Sequence, residues 1–561
     1  MGPLRVPLPG GFYIIRRGVR TRRSIAFWVA VGIGLLASRA IGAADCPSLY
    51  DCALAEVGRR DFASAIRRLE TEVAEGSRDL KAMNLLGIAL TGAGRKAEGN
   101  RWFRQALSVD PAFSPAQKNL AINEYDAGRI EVARGHFEGV LERAPADEVA
   151  HLYLGEIHYG GGRRREALAH YEKSGGRFVQ DPRSTLHFGR CLLEAGQTSE
   201  AVRVLEEIPA ASGSTLFEAG VFLGRAGAHA EAARFFGASR ATGDDAYAAG
   251  YNQTLMLVEA GDAEGALRVS RELFAGEAGG SLAPEGAADL RNLVSRAYLK
   301  AGRIQEAYDS LREAIRLDPR KDANYIDLAS ICVEHDNFDL GLEIVDIGLR
   351  QLPDSWRLYL QRGVLLAMKA RMAEAEKEFE SARRLAPAEP VPYAALGMAW
   401  MQSGQADKAV GVLRAELARH TDHVVPYIFA VALLRSGTDP TASGAKEAVE
   451  ALRASIRAHP GFAPARAELG RLLFKQDALG PAIVELEKAA ALDPAGTPAL
   501  YVLSQAYRRN GEPAKAQALL ARVSRLNAQE RGDDQDGEFR RAVFRIVREG
   551  TARPTMPPPE P

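Results

Sequence analysis

The sequence predicts an all-α solenoid of about fourteen helix-turn-helix units, and two repeating patterns lead to this fold class. Prolines recur 34 residues apart at Pro319, Pro353 and Pro387. A set of small, large apolar and small residues recurs in the same step, whereas alternation of the kind typical of strands is hard to find. The three clearest sets are Ala307, Leu311 and Ala314, then Gly341, Val345 and Gly348, then Ala375, Phe379 and Ala382.

The pattern has a simple physical basis. Two short helices cannot bury both of their apolar faces against each other, so each pair needs neighbouring pairs, and small residues let the backbones approach closely. Proline lacks the amide hydrogen and moves the preceding residue out of helical geometry, so it ends the second helix. The third copy also carries Tyr359, Gly363 and Leu366 in its first helix. The pattern resembles the tetratricopeptide repeat, which implies a right-handed superhelix.

Residues 1–44 do not follow the repeat. Six arginines precede an apolar run at residues 24–37, and the small residues Gly42, Ala43 and Ala44 follow it. This order is typical of a secretory signal peptide, so we expect an exported protein, periplasmic or secreted, whose mature chain begins between Ala43 and Cys46. An uncleaved anchor in the inner membrane is the alternative, and it would be the only membrane contact. The run is shorter than the roughly 20 residues that span a bilayer.

The remaining chain divides by repeat register. We predict an N-terminal sub-array at 45–274, a glycine-rich inserted loop at 275–287 and a C-terminal sub-array at 288–530. A capping helix at 531–550 and a proline-rich disordered tail at 551–561 follow. Cys46 and Cys52 are close enough in sequence to form a disulfide in an exported protein, and a free pair is the alternative.

Composition and motifs argue against several function classes. The 72 basic and 72 acidic residues cancel, whereas a nucleic-acid-binding protein would have a basic excess. The chain has no metalloprotease, phosphate-binding or nucleophile-elbow motif, so we expect no enzyme activity and no cofactor. His151, Glu156 and His158 are the most suggestive cluster, but both histidines occupy positions equivalent to Tyr359 and Leu366. We therefore interpret them as packing residues.

The resemblance implies that the first helix of each unit faces a concave groove, with positions 2, 5, 9, 12 and 13 of the unit lining it. In the middle of the C-terminal sub-array these positions form an apolar floor, and in its last units they form a basic end. The alternatives are that the apolar residues pack on the adjoining unit and that the arginines are solvated surface. The candidate floor residues are Ile326, Val333, Leu360, Val364, Met368, Met398 and Met401. The candidate basic residues are Arg435, Arg471, Lys475, Arg508 and Arg509.

These observations favour a non-catalytic exported scaffold that binds partner proteins or peptides in its groove. The alternative function is a periplasmic component of an assembly that synthesises or exports an envelope polysaccharide, where similar arrays adjoin an outer-membrane barrel. The sequence does not identify the partner.

Overall fold

The computed structural model describes residues 4–7, 13–16, 48–73, 78–243, 245–276, 283–437 and 443–529. Two short strands, β1 (Leu4–Pro7) and β2 (Tyr13–Arg16), pair with each other ahead of the helical array. The apolar run at 24–37, Cys46, the predicted capping helix at 531–550 and the tail at 551–561 lie outside the described residues.

The described residues form 28 α-helices in fourteen consecutive pairs, which confirms the predicted all-α repeat fold. We call the first helix of each pair helix A and the second helix B, so odd-numbered helices are A and even-numbered helices are B. The array divides into two compact units between Leu273 and Phe274. We call them the N-terminal unit and the C-terminal unit and describe each by itself.

The N-terminal unit holds pairs 1 to 7, and a 3₁₀ helix at Arg177–Gln180 separates pairs 4 and 5. Its helices are α1 (Leu49–Gly58), α2 (Phe62–Glu72), α3 (Leu80–Gly92), α4 (Lys96–Val109), α5 (Ser114–Asp126), α6 (Ile130–Arg143), α7 (Glu148–Gly160), α8 (Arg164–Tyr171), α9 (Pro182–Glu194), α10 (Thr198–Leu205), α11 (Gly213–Arg225), α12 (His229–Ala241), α13 (Ala246–Ala260) and α14 (Ala263–Phe274).

The C-terminal unit holds pairs 8 to 14. Its helices are α15 (Pro284–Lys300), α16 (Ile304–Leu317), α17 (Asp322–Glu334), α18 (Phe338–Gln351), α19 (Trp356–Met368), α20 (Met372–Leu385), α21 (Pro390–Gln402), α22 (Ala406–Glu416), α23 (Val424–Arg435), α24 (Ser443–Ala458), α25 (Ala463–Lys475), α26 (Leu479–Leu492), α27 (Thr497–Arg509) and α28 (Pro513–Gln529).

Glycine permits the turn between the two helices of a pair. Gly94, Gly128 and Gly162, each 34 residues apart, have φ angles of 83°, 76° and 79° just after helix A. This left-handed conformation closes a helix C-terminus at little cost for glycine, which has no Cβ. Pair 10 has Ala370 at the equivalent position, with φ of 58°.

The predicted repeat residues pack as their register requires. Ala375, Phe379 and Ala382 of α20 are all buried. A Cβ atom added to Gly363 of α19 would lie 2.4 Å from the Phe379 ring, so glycine is needed where the large side chain crosses helix A. A Cβ atom added to Gly87 would lie equally close to the ring of Phe103 in pair 2. The packing predicted from the 34-residue step is therefore confirmed.

Helix A lies on the inner side of each unit. Neighbouring A helices contact each other, as α5 contacts α7 and α19 contacts α21, whereas among the described residues neighbouring B helices make no contact of similar extent. Elements that approach their counterparts more closely lie on the inner side of a curved stack. A ligand bound along the inner side would therefore contact the A helices.

In the part of the chain that the structure describes, none of the helices is long and apolar enough to cross a membrane.

Candidate protein-binding surfaces

The structure places most of the predicted apolar floor in the interior of the C-terminal unit. Val333, Leu360, Val364, Met398 and Met401 are all less than 9% exposed, and Leu360 and Val364 have no exposed surface. They pack on the adjoining pairs, which is the alternative that the sequence left open. Of the seven candidates, two keep partial exposure, and these are Ile326 and Met368.

The burial is most complete in α21, the A helix of pair 11. Every residue of α21 from Val391 to Met401 is buried, so this helix has no free face. It contacts the A helices on both sides, α19 and α23. A helix that is apolar all round is covered on all sides. We call this region, formed by the A helices of pairs 10 to 12, the closed segment.

The predicted basic residues lie at the surface of the last three pairs. Arg435, Lys475, Arg508 and Arg509 are exposed, and Arg471 is half-buried. Two of them form ion pairs within the unit, Arg471 with Glu468 and Arg509 with Asp477.

An exposed aromatic ring accompanies these charges. Tyr501, at position 5 of α27, is 49% exposed. The guanidinium of Arg509 lies 5.0 Å from the ring centroid of Phe474. We call this surface the basic end, and it combines cationic groups with aromatic surface.

The N-terminal unit carries a surface that our sequence reasoning missed. Positions 9 and 12 of the A helices in pairs 2 to 5 are all half-buried, so they pack at one edge and face solvent at the other. The sequence signal that could have revealed them is the 34-residue step together with the aliphatic or aromatic character of five of these eight residues. We call these two rows the N-terminal rows. Position 9 comprises Ile88, Ile122, Glu156 and Arg190, and position 12 comprises Thr91, Tyr125, Tyr159 and Leu193.

Tyr159 is the most constrained side chain of the N-terminal rows. Its ring stacks on His187 with the ring centroids 3.9 Å apart. The guanidinium carbon of Arg164 lies 4.0 Å from the ring centroid, and that of Arg190 lies 6.0 Å away. Stacking and cation–π contacts hold the ring in one orientation. Burial raises the pKa of the Tyr159 hydroxyl, so this group is a neutral hydrogen-bonding partner.

Glu156 anchors the neighbouring position. Its Oε1 accepts a hydrogen bond from the hydroxyl of Tyr171 at 2.8 Å, and its Oε2 lies 2.9 Å from Nδ1 of His187. Burial raises the pKa of Glu156, but hydrogen bonds from His187, Tyr171 and Ser184 outweigh burial and leave the pKa below its usual value. The carboxylate is therefore ionised and fully engaged within the fold.

The cysteines divide into two classes. Cys52 is disulfide-bonded, and Cys46, the partner that the sequence predicts, lies outside the described residues. Cys191 and Cys332 are free and buried. Burial raises the pKa of the Cys191 thiol to about 12, so this thiol is protonated and unreactive.

Both histidines of the suggestive sequence cluster pack within pair 4, as predicted. His151 is buried, and His158 is half-buried. Within the described ranges, no group of three or more histidine, cysteine or acidic residues could hold a metal ion.

Comparison with protein families agrees with this geometry. A family model described as tetratricopeptide repeat matches residues 50–116, 118–178 and 326–390. Two further models with the same description match residues 288–321 and 497–522. These segments are tetratricopeptide repeats. Such repeats build extended binding surfaces, so they support a protein-interaction scaffold, a class that is typically non-catalytic.

Solved structures with similar arrangements also exist. Yeast Tom70 is 16% identical with a TM-score of 0.40, and the match covers 84% of this chain and 96% of that one. MamA is 19% identical, with a TM-score of 0.26, and covers 30% of this chain and 97% of its own. YrrB, described as a TPR protein with an unusual peptide-binding site, is 21% identical, with a TM-score of 0.26 and coverages of 34% and 97%. These scores are too low to support a conclusion about function. The search of curated proteins found no significant match.

Proposed function

We propose that this protein is an exported, non-catalytic scaffold that binds partner proteins or peptides along the inner side of its helical pairs. The observation that carries the proposal is the pair of N-terminal rows, where eight half-buried side chains repeat over four successive A helices. Side chains in this state can bury further area against a ligand without rearranging the core. Helix α21 of the closed segment has no such surface from Val391 to Met401.

The chemistry of the N-terminal rows changes along the array. Pairs 2 and 3 contribute Ile88, Ile122 and Tyr125, which offer apolar area. Pairs 4 and 5 contribute Tyr159, held by its stacking partners, and Arg190, whose Nε lies 2.7 Å from Glu194. Rigid aromatic and arginine side chains are frequent energetic centres of interfaces because little rotamer entropy is lost on binding. The rows therefore fit a peptide with apolar side chains at one end and hydrogen-bonding groups at the other.

The basic end supports a second contact region, in the C-terminal unit. Lys475 and Arg508 are exposed there, and Tyr501 offers aromatic area beside them. Acidic segments of a partner would gain Coulomb attraction from these charges. Because exposed charges are screened over about 8 Å at physiological ionic strength, this contact should weaken as salt is raised.

Two observations support export. The first 44 residues have the order of a signal peptide, with arginines before an apolar run and small residues after it. Cys52 is disulfide-bonded, and disulfides persist in oxidising compartments outside the cytosol. Retention in the inner membrane by an uncleaved segment is the alternative, and N-terminal sequencing of the envelope-associated protein distinguishes the two.

Affinity purification from the envelope fraction tests the function. We expect specific partner proteins to co-purify with the wild type and to be lost from the double variant Ile88→Ser, Ile122→Ser. Val132→Ser on helix B of pair 3 is the matched control, because Val132 is 50% exposed on the other side of the pair. Recovery of the partner with the double variant at the same level as with Val132→Ser would contradict the proposal. Co-purification of glycan-synthesis proteins would favour the polysaccharide assembly.

A further inference from the structure

Pair 4 contains three histidines, of which His170 contacts both His151 and His158, and we call them the histidine cluster. Nδ1 of His151 lies 2.9 Å from Nδ1 of His170, and Nε2 of His151 lies 2.9 Å from the carbonyl oxygen of Pro145. The rings of His158 and His170 stack with centroids 5.2 Å apart and an angle of 11° between them. His151 and His158 belong to α7, and His170 belongs to α8, so the cluster joins the two helices of the pair.

The hydrogen bonds fix where the protons lie. A carbonyl oxygen only accepts, so Nε2 of His151 donates to Pro145 and Nδ1 of a neutral His151 is an acceptor. His170 must therefore donate from Nδ1. Nε of Arg163 donates to Nδ1 of His158 at 2.8 Å, so that nitrogen also accepts. All bonds are satisfied when the three rings are neutral.

A second proton on the His151–His170 pair, or a proton on Nδ1 of His158, would break this arrangement. One added proton leaves a donor and an acceptor between His151 and His170, because the neutral ring can carry its own proton on Nε2, whereas a second would place two N–H groups 2.9 Å apart. A proton on Nδ1 of His158 would face the N–H of Arg163. Burial lowers the pKa of His170 to about 4, with His151, His158 and Lys173 adding to the effect. Burial followed by Arg163 lowers the pKa of His158, although nearby carboxylates oppose this.

The neighbouring elements place more cations than carboxylates around the cluster. A second positive charge on the cluster would therefore not be neutralised. Cations face it from α6 and from both ends of α8, and two carboxylates partly balance them. These groups are Arg134 and Glu138 on α6, and Arg163, Glu166 and Lys173 on α8 and its flanking turns.

We propose that the histidine cluster is a pH-sensitive joint that holds α8 on α7 when its three rings are neutral and releases it when they are protonated. Histidines of the unfolded state bind protons below the ordinary pKa of about 6.5, whereas His158 and His170 resist them in the packed pair, so acid favours the open pair. The stability of pair 4 is therefore fully present above about pH 6.5 and declines as the pH falls toward 4.

The joint and the N-terminal rows share helix α7, so opening of the joint should also affect partner binding. This expectation rests on the proposed function. α7 also carries Glu156 and Tyr159 of the N-terminal rows. Opening of pair 4 would move these side chains relative to pairs 3 and 5. Partner binding at the N-terminal rows should therefore weaken in acid.

Hydrogen-exchange mass spectrometry on the full chain tests the joint without any partner, so its outcome is separate from that of the proposed function. After correction for the intrinsic pH dependence of exchange, we expect the opening equilibrium of residues 148–171 to rise about tenfold per excluded proton between pH 7.5 and 5.5. The asparagine of His170→Asn keeps an N–H donor in place of Nδ1–H and cannot titrate. The rise of its opening equilibrium between pH 7.5 and 5.5 should therefore be about tenfold smaller than that of the wild type. His335→Asn, at an exposed position outside the N-terminal unit, is the control and should respond like the wild type.

Two outcomes would overturn the proposal. One is a wild-type response in residues 148–171 no larger than that of the other pairs. The other is a response of His170→Asn equal to that of the wild type. If His170→Asn does not fold, histidine titration of the wild type by NMR decides the question. The His170 ring must stay neutral at pH 5.5, and its titration near pH 6.5 would contradict the joint.

Discussion

The N-terminal rows and the closed segment occupy equivalent positions of the same repeat but differ in exposure. At position 9, Ile122 of pair 3 is half-buried, whereas Val364 of pair 10 has no exposed surface. Both side chains are β-branched and apolar, so residue type does not explain the difference. Contact with neighbouring A helices does not explain it either, because α5 contacts α3 and α7 just as α21 contacts α19 and α23.

The composition of the helices accounts for the difference. Helix α21 is apolar or small at almost every position, as is α23, so each gains by burying its whole circumference. Helix α5 carries Lys118, Asn119 and Asp126. Lys118 of α5 donates to Asp147 at 2.6 Å, and Asn119 donates to Asn84 at 2.9 Å, so polar contacts take the place of apolar packing on this helix. The same repeat thus leaves half-buried side chains in one unit and forms a packed interior in the other.

The largest expected effect comes from placing a carboxylate at position 9 in both regions. Val364→Asp buries an unpaired charge, so we expect a loss of about 4 kcal/mol or more of unfolding free energy. Ile122→Asp leaves the carboxylate at a solvated edge, and the loss should be about 1 kcal/mol. Thermal unfolding followed by circular dichroism measures both. Similar melting shifts for the two variants would remove the distinction between the regions.

The sequence predicts the repeat well because the repeat depends on local contacts. Within a pair, the small residue at Gly363 and the ring of Phe379 are fixed by the 34-residue step and by helix geometry. Exposure at position 9 depends instead on the residues that neighbouring pairs place around it, and therefore on many side chains at once. The floor predicted at Leu360 and Val364 was therefore buried, while the charged residues of the basic end lie at the surface because charge is costly to bury.

A smaller effect tests the packing of glycine against phenylalanine within a pair, which both regions share. Gly87→Ala and Gly363→Ala should each cost about 1–3 kcal/mol, because the new Cβ would overlap a phenylalanine ring in the same way in pairs 2 and 10. Gly411→Ala is the matched control within helix α22, where a Cβ would meet nothing within 4 Å. It should stabilise by about 0.5–1 kcal/mol, as alanine does in a helix interior. Unequal costs at Gly87 and Gly363, measured by denaturant unfolding, would show that the pairs pack differently.

The smallest effect concerns the turn within a pair. Ala370 has φ of 58°, whereas Gly162 has φ of 79° at the equivalent position of pair 4. Because the left-handed conformation costs a residue with a Cβ about 1–2 kcal/mol, Ala370→Gly should raise the melting temperature and Gly162→Ala should lower it. Shifts of the same sign in calorimetry would contradict this account of the turns.

Site-specific photo-cross-linking tests most directly whether the N-terminal rows are the binding surface. A photoreactive amino acid would replace Ile122 in the N-terminal rows, Val132 on helix B of the same pair, or Ile347 on helix α18, and the three proteins would be irradiated in intact cells. Positions 132 and 347 are 50% and 44% exposed. They therefore serve as controls for cross-links that any exposed position would give. We predict a discrete cross-linked partner band from position 122 that positions 132 and 347 do not give. The same band from position 132 or 347, without one from position 122, would contradict the assignment of the binding surface to the N-terminal rows.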